Sequence, residues 1–327
     1  MRLLRLARND KKGIISGKSL FIQLMVYCSL LIAHGSLLCS DSALAKLNIV
    51  ATTPDLGAIA KEIGGDKVDV KSLARPTEDP HFVDARPSFI TILNKADVLI
   101  EGGAMLEAGW LPPLIEGARN KKIQIGSAGR VIGSDGITLI QVPTTLDRAM
   151  GDIHPMGNPH YLLDPLNGKV VAQHICDTLC KLDAASCPHF QTNLEGFSRK
   201  IDEKMVEWRK LTALFKGTKV VTYHKSYDYF LERFGLELVD TLEPKPGIPP
   251  SPTHINALIP RMNEDGVKAI IIEPNKEKKT PEFIAEKTGA KVLVLPGTVG
   301  GNEETEDYIS LFDYNLAQLA AAIGGGH

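Results

Sequence analysis

Three histidines carry the chemistry that this sequence offers most plainly. His81 lies in RPTEDPHFVDARPS, His160 lies in GDIHPMGNPHYLLDP, and His224 closes VVTYH. Neutral imidazole is the commonest metal-ligating side chain, and three of them suit a zinc ion at about 2.0–2.1 Å with a fourth position remaining. One histidine alone says little, because most are structural or merely exposed. The argument rests on all three following strands or filling constrained loops on one side of the fold. His154, in the same loop as His160, is a rival ligand. His174, His189 and His254 fall at helical or other loop positions and are read as structural.

The elements that must position these residues alternate between strand and helix. LNIVAT (47–52), the run 68–73, ADVLIEGG (96–103) and the run 122–125 read as four strands with helical segments between them. KVVTYH (219–224), LELVDTL (236–242), VKAIIIE (267–273) and KVLVL (291–295) read as four more, and a last helix is expected over 304–323. Short apolar runs alternating with helices predict a mainly parallel sheet in each half. In open α/β sheets ligands bind beyond the carboxyl ends of the strands, so the cleft between two such lobes is the default site.

Between the halves lies HFQTNLEGFSRKIDEKMVEWRKLTALFK (189–216). Phe190, Leu194, Phe197, Ile201, Met205, Trp208, Leu211 and Leu214 recur at steps of three and four, which keeps one helix face apolar. Pro188 ahead and Gly217 behind are start and stop signals. A helix of this length spans about 40 Å and predicts a rigid spine joining the lobes. The expected organisation is a signal peptide over 1–45, a first βα lobe over 46–186, a linking helix over 187–216 and a second βα lobe over 217–327.

The formal net charge of −2 gives no general pull towards nucleic acid or anionic membrane, and no basic cluster interleaves with aromatics. Arg2, Arg5, Arg8, Lys11, Lys12 and Lys18 precede an apolar run, and Ala43-Leu44-Ala45 supplies small residues where a signal peptidase reads. This predicts a secreted chain beginning at Lys46. A lipid anchor at Cys39 is the lesser alternative, because Leu38 before it is bulky. Once exported, the chain keeps Cys176, Cys180 and Cys187, of which two can pair in an oxidising compartment. Their spacing with His189 fits no standard zinc module.

DPH with its trailing RPS, GNPHYLLDP, VTYHKSYDYF, EPKPGIPPSP and GAKVLVL, in this order and spacing, resemble the solute-binding proteins of bacterial zinc and manganese ABC importers. The resemblance covers essentially the whole mature chain. It implies two βα lobes bridged by one long helix, and a single metal in the cleft bound by His81, His160 and His224. Two departures stand out. The family usually draws a fourth ligand, an aspartate, from the loop after the last strand, and here that loop reads PGTVGGNEE with no carboxylate from Pro296 to Gly301. Glu273, closing VKAIIIE, is then the preferred fourth ligand, with water or Glu303 as alternatives and a role holding a histidine as its plainer one. No long histidine-rich loop precedes His160 either, which removes the accessory metal trap proposed for many zinc binders of this family.

An imidazole-rich site favours zinc over manganese, which wants more carboxylate oxygen. The manganese branch of the family tends to carry a carboxylate where this chain has His224. The expected function is capture of zinc in the periplasm, as a monomer, and delivery to an ABC permease in the inner membrane, with small lobe tilts on binding. The segment EPKPGIPPSP (243–252) is expected to wall the cleft. Two other classes compete. A zinc hydrolase would use Glu273 as base, but no HExxH helix and no G-x-S-x-G elbow occurs. A surface adhesin of the same fold would need exposure on the cell.

Overall fold

A computed structural model describes residues 46–144 and 154–324 of the chain. The expected signal peptide lies outside these described residues. The first half lays down β1 (Leu47–Ala51), β2 (Val68–Ser72), β3 (Val98–Glu101) and β4 (Arg130–Ile132). They form one sheet in the order β2-β1-β3-β4, with every pairing parallel. The second half repeats this with β5 (Lys219–Thr222), β6 (Glu237–Thr241), β7 (Ala269–Ile272) and β8 (Lys291–Val294) in the order β6-β5-β7-β8, again parallel throughout. Helices α1 (Pro54–Gly64), α2 (Pro87–Asn94) and α3 (Leu111–Ala118) serve the first sheet. Helices α6 (Asp228–Phe234), α7 (Pro252–Asp265) and α8 (Lys279–Thr288) serve the second. This is the expected α/β architecture. The central strands are continuous apolar runs because parallel sheets are covered on both faces; all of AIII in β7 is buried.

One strand falls elsewhere than expected. The stretch KKIQI alternates like a strand, yet residues Lys121–Ile123 form a 3-10 turn whose Asn120 side chain accepts from the Lys122 amide. The fourth strand begins after Gly129 instead. A Cβ at that glycine would stand 2.2 Å from the Asp97 carbonyl oxygen, so only glycine lets the chain pass close enough to enter the sheet beside β3.

Helix α4 (Pro165–Leu182) leads into α5 (Cys187–Thr212), the predicted spine, and a Cys180–Cys187 disulfide ties the two. Cys176 stays free and buried. The spine stops a turn earlier than the sequence suggests, and Leu214 beyond it is 56% exposed. Phe190, Phe197, Ile201, Met205 and Trp208 are buried along one face, as the spacing predicts. This face packs on α1 and α4 on one side and on α6 and α9 (Tyr308–Ile323) on the other. A single apolar core therefore runs from Ile49 and Ile100 in the first sheet, through the spine, to Phe230, Ile271 and Phe312 in the second half. Each outer sheet face carries a smaller core of its own. The described residues make one compact unit. Among the described residues no helix is long and apolar enough to cross a membrane.

Candidate metal centre

Both sheets turn their carboxyl ends towards one cleft, and the side chains that meet there come from the loops leaving them. His81 lies between β2 and α2, His224 follows β5 directly, and Glu243 and Glu273 follow the neighbouring strands β6 and β7. His160 enters from the loop ahead of α4. Asn158 fixes that loop: its side-chain amide donates to the Lys225 carbonyl oxygen at 2.8 Å, and its own carbonyl oxygen accepts from Tyr229 Oη at 2.8 Å. The result gathers the three predicted histidines, with one donor atom of each lying within 4.8 Å of the others.

The hydrogen bonds settle which nitrogen two of the rings present. His81 Nδ1 lies 2.8 Å from Asp79 Oδ1, and His224 Nδ1 lies 2.7 Å from Glu243 Oε2. A carboxylate only accepts, so both rings carry their proton on Nδ1 and leave Nε2 with its lone pair. This is the arrangement in which ligating imidazoles are held by carboxylates behind them. His160 Nε2 is buried with no hydrogen-bond partner. An unpaired buried imidazole nitrogen costs desolvation energy, and a cation bound there would relieve it.

The surroundings favour the neutral ring at His160 and oppose it at His224. Burial, reinforced by the neighbouring histidines, pushes His160 well below the ordinary imidazole value. His224 is raised: burial works against its protonated form, but the hydrogen bond to Glu243 and the charges of Glu273 and Glu243 prevail. Burial would raise Asp79, yet the hydrogen bonds and charge of His81, with Lys276 nearby, hold it well below the usual carboxylate range. Glu243 is lowered in the same way, the His224 contact outweighing burial.

Glu273 lines the same cavity as the three histidines and is 8% exposed. Its Oε1 accepts from Ser226 Oγ at 2.7 Å, while its Oε2 is buried without a partner. Burial raises its carboxyl group. It stands beside the histidine donors and is not one of the three clustered atoms. The rival His154 does reach the site, with its Nε2 3.0 Å from His81 Nε2. Burial first, then His81 and His224, push its ring down to about 4. Glu303 is exposed at the edge of the last loop. His254 Nε2 lies 2.8 Å from the Thr241 carbonyl oxygen, and His189 lies beside Asn193 on the spine, so both sit away from the cluster. The sequence reading passed over Asp79, Glu243 and Lys276. Asp79 had a signal, a carboxylate two residues ahead of a candidate ligand. The other two reach the site only because β5, β6 and β7 are neighbours.

Two parallel α/β sheets sharing a spine, with a buried imidazole donor set where their carboxyl ends meet, define a two-lobed metal-binding protein. The chain belongs to the family described as zinc-uptake complex component A, periplasmic, whose profile matches residues 49–322. That description makes the family a component of a metal-uptake complex. Among curated proteins, the metal ABC transporter substrate-binding lipoprotein ScbA of Streptococcus cristatus is 23% identical over 292 residues, covering 87% of this chain and 91% of its own. The manganese ABC transporter substrate-binding lipoprotein PsaA of Streptococcus pneumoniae (TIGR4) is 24% identical over 286 residues, covering 85% and 89%. A crystal structure of ZnuA superposes with a TM-score of 0.71 at 23% identity, over 85% of this chain and 99% of the other. The manganese-bound periplasmic metal-binding protein of Candidatus Liberibacter asiaticus gives 0.69 at 20% identity, over 84% and 99%. At these identities the structural likenesses speak for the fold.

Proposed function

We propose that the protein captures one zinc ion outside the cytoplasmic membrane and delivers it to an ABC permease. His81, His160 and His224 hold the ion through Nε2, and Glu273 offers its free oxygen as the fourth donor. The observation that carries this reading is the donor set itself: two imidazoles locked by Asp79 and Glu243 in the ligating tautomer, and a third with a buried unpartnered Nε2. The ion is cargo, so the site has to bind and release without chemistry. Metal affinity requires neutral imidazoles, and three of them beside one carboxylate suit zinc better than manganese. The description of the matching family points to zinc and to the periplasm. Manganese is the second reading, favoured by the printed names of several relatives, which also describe them as lipoproteins.

Competitive titration of the metal-free chain against a chromophoric chelator tests this. One equivalent of zinc should bind far more tightly than manganese, and Glu273→Gln should weaken zinc by about tenfold or more. Manganese binding more tightly than zinc would replace the first reading with the second. An unchanged zinc affinity in Glu273→Gln would leave Glu273 a wall of the site.

A further inference from the structure

The two carboxylates behind the ligand rings come from opposite sides of the cleft, and one lysine touches both. Lys276 Nζ lies 3.5 Å from Asp79 Oδ2 and 3.2 Å from Glu243 Oε1. Each carboxylate divides its oxygens. Asp79 gives Oδ1 to the amide and ring of His81 and Oδ2 to Lys276. Glu243 gives Oε2 to His224 and the Gly247 amide and Oε1 to Lys276. The lysine is itself well placed for this. Its backbone amide donates to the Glu273 carbonyl oxygen at 3.1 Å, closing the turn after β7, and its ammonium lies 5.5 Å from the centre of the Tyr223 ring. Only 18% of its side chain is exposed.

The geometry points to Lys276 as a positioning residue that latches Asp79 and Glu243 onto the far side of their histidines and so keeps carboxylate oxygen out of the metal's reach. The inference rests on the metal-binding reading above. Asp79 lines the same cavity as the three histidines, so once freed from the latch it can turn a hard oxygen towards the ion, and hard oxygen is what manganese prefers over zinc. Lys276 thus bears on which cation is chosen, beyond how tightly any cation is held. Loss of an ammonium's through-space repulsion would instead tighten both ions alike, and loss of a merely structural contact would weaken both alike. The ratio of the two affinities separates these possibilities.

The test is zinc and manganese affinity, measured on the full mature chain for the unchanged protein, Lys276→Gln and Lys276→Arg, with melting of each metal-free form as the folding control. In Lys276→Gln the preference for zinc over manganese should fall at least tenfold, while Lys276→Arg, which keeps the charge and the two contacts, should retain most of it. In an Asp79→Asn/Glu243→Gln background, adding Lys276→Gln should leave the ratio unmoved, since the groups it restrains are gone. An unchanged ratio in Lys276→Gln, whether both affinities rise, fall or stay, overturns the latch. No metal bound by the unchanged protein is a separate result that overturns the site reading, and the latch with it.

Discussion

In the proposed site, His224 is the ring on which acid acts first. Its protonation is favoured by Glu243 and Glu273 despite burial, whereas burial holds His160 neutral far into acid. Coordination requires the neutral ring, so a proton on His224 competes directly with the ion. With its value raised, the loss of affinity on acidification should begin above the ordinary imidazole value of 6.5, and His160 should add nothing until much lower pH. Zinc titrations over roughly pH 5–8 check this. Glu243→Gln removes the contact that favours the proton, so the onset should move to lower pH. His154 meets the centre on the metal-facing nitrogen of His81. An ion on His81 Nε2 has to displace this contact, so His154→Ala should leave zinc affinity unchanged or raise it, while His160→Ala should cost far more. Equal losses in the two variants would promote His154 to a full ligand.

At the scale of the elements, the spine is where the two halves share a core. Trp208 is 2% exposed, with its ring 5.4 Å from Phe312 and 6.2 Å from Phe234, and its Nε1 donates to Asp313 at 2.8 Å. Truncating it leaves a cavity between α5, α6 and α9, and Trp208→Ala should cost about 3–5 kcal/mol in denaturant unfolding. A loss below about 1 kcal/mol would mean the halves do not depend on the spine. These elements were legible because their signals are local. Strands such as Ala269–Ile272 are short apolar runs, and the spine keeps its three-and-four spacing. β4 was not legible, because three residues carry no pattern and their strand conformation depends on pairing with Leu99, Ile100 and Glu101. The histidines were legible because each follows a strand or fills a tight loop. Glu243 and Lys276 were not, since exposed-looking carboxylates and lysines are common and only the order β6-β5-β7 brings these two together.

At the scale of the molecule, the halves are bolted together by more than the spine. Arg233 donates twice to Asp164, at 2.8 and 2.5 Å, and Asp55 accepts from the Val299 amide at 2.8 Å and from Thr298 Oγ1 at 2.7 Å. Tyr308 Oη donates to the Leu162 carbonyl oxygen at 2.6 Å, and its ring lies so close to Gly168 that a Cβ there would stand 2.3 Å from it. Such contacts resist a hinge, so metal uptake should order loops and tilt the lobes slightly. Solution scattering with and without zinc should give nearly the same profile; a rotation of tens of degrees between the lobes would contradict this. The central claim, that three imidazoles in this cleft hold one cargo ion, is tested most directly by metal content and competitive titration of the protein beside His81→Ala/His160→Ala/His224→Ala. The account predicts one tightly bound zinc in the unchanged protein and none in the folded triple variant. No tight metal in the former, or undiminished binding in the latter, would place the site elsewhere.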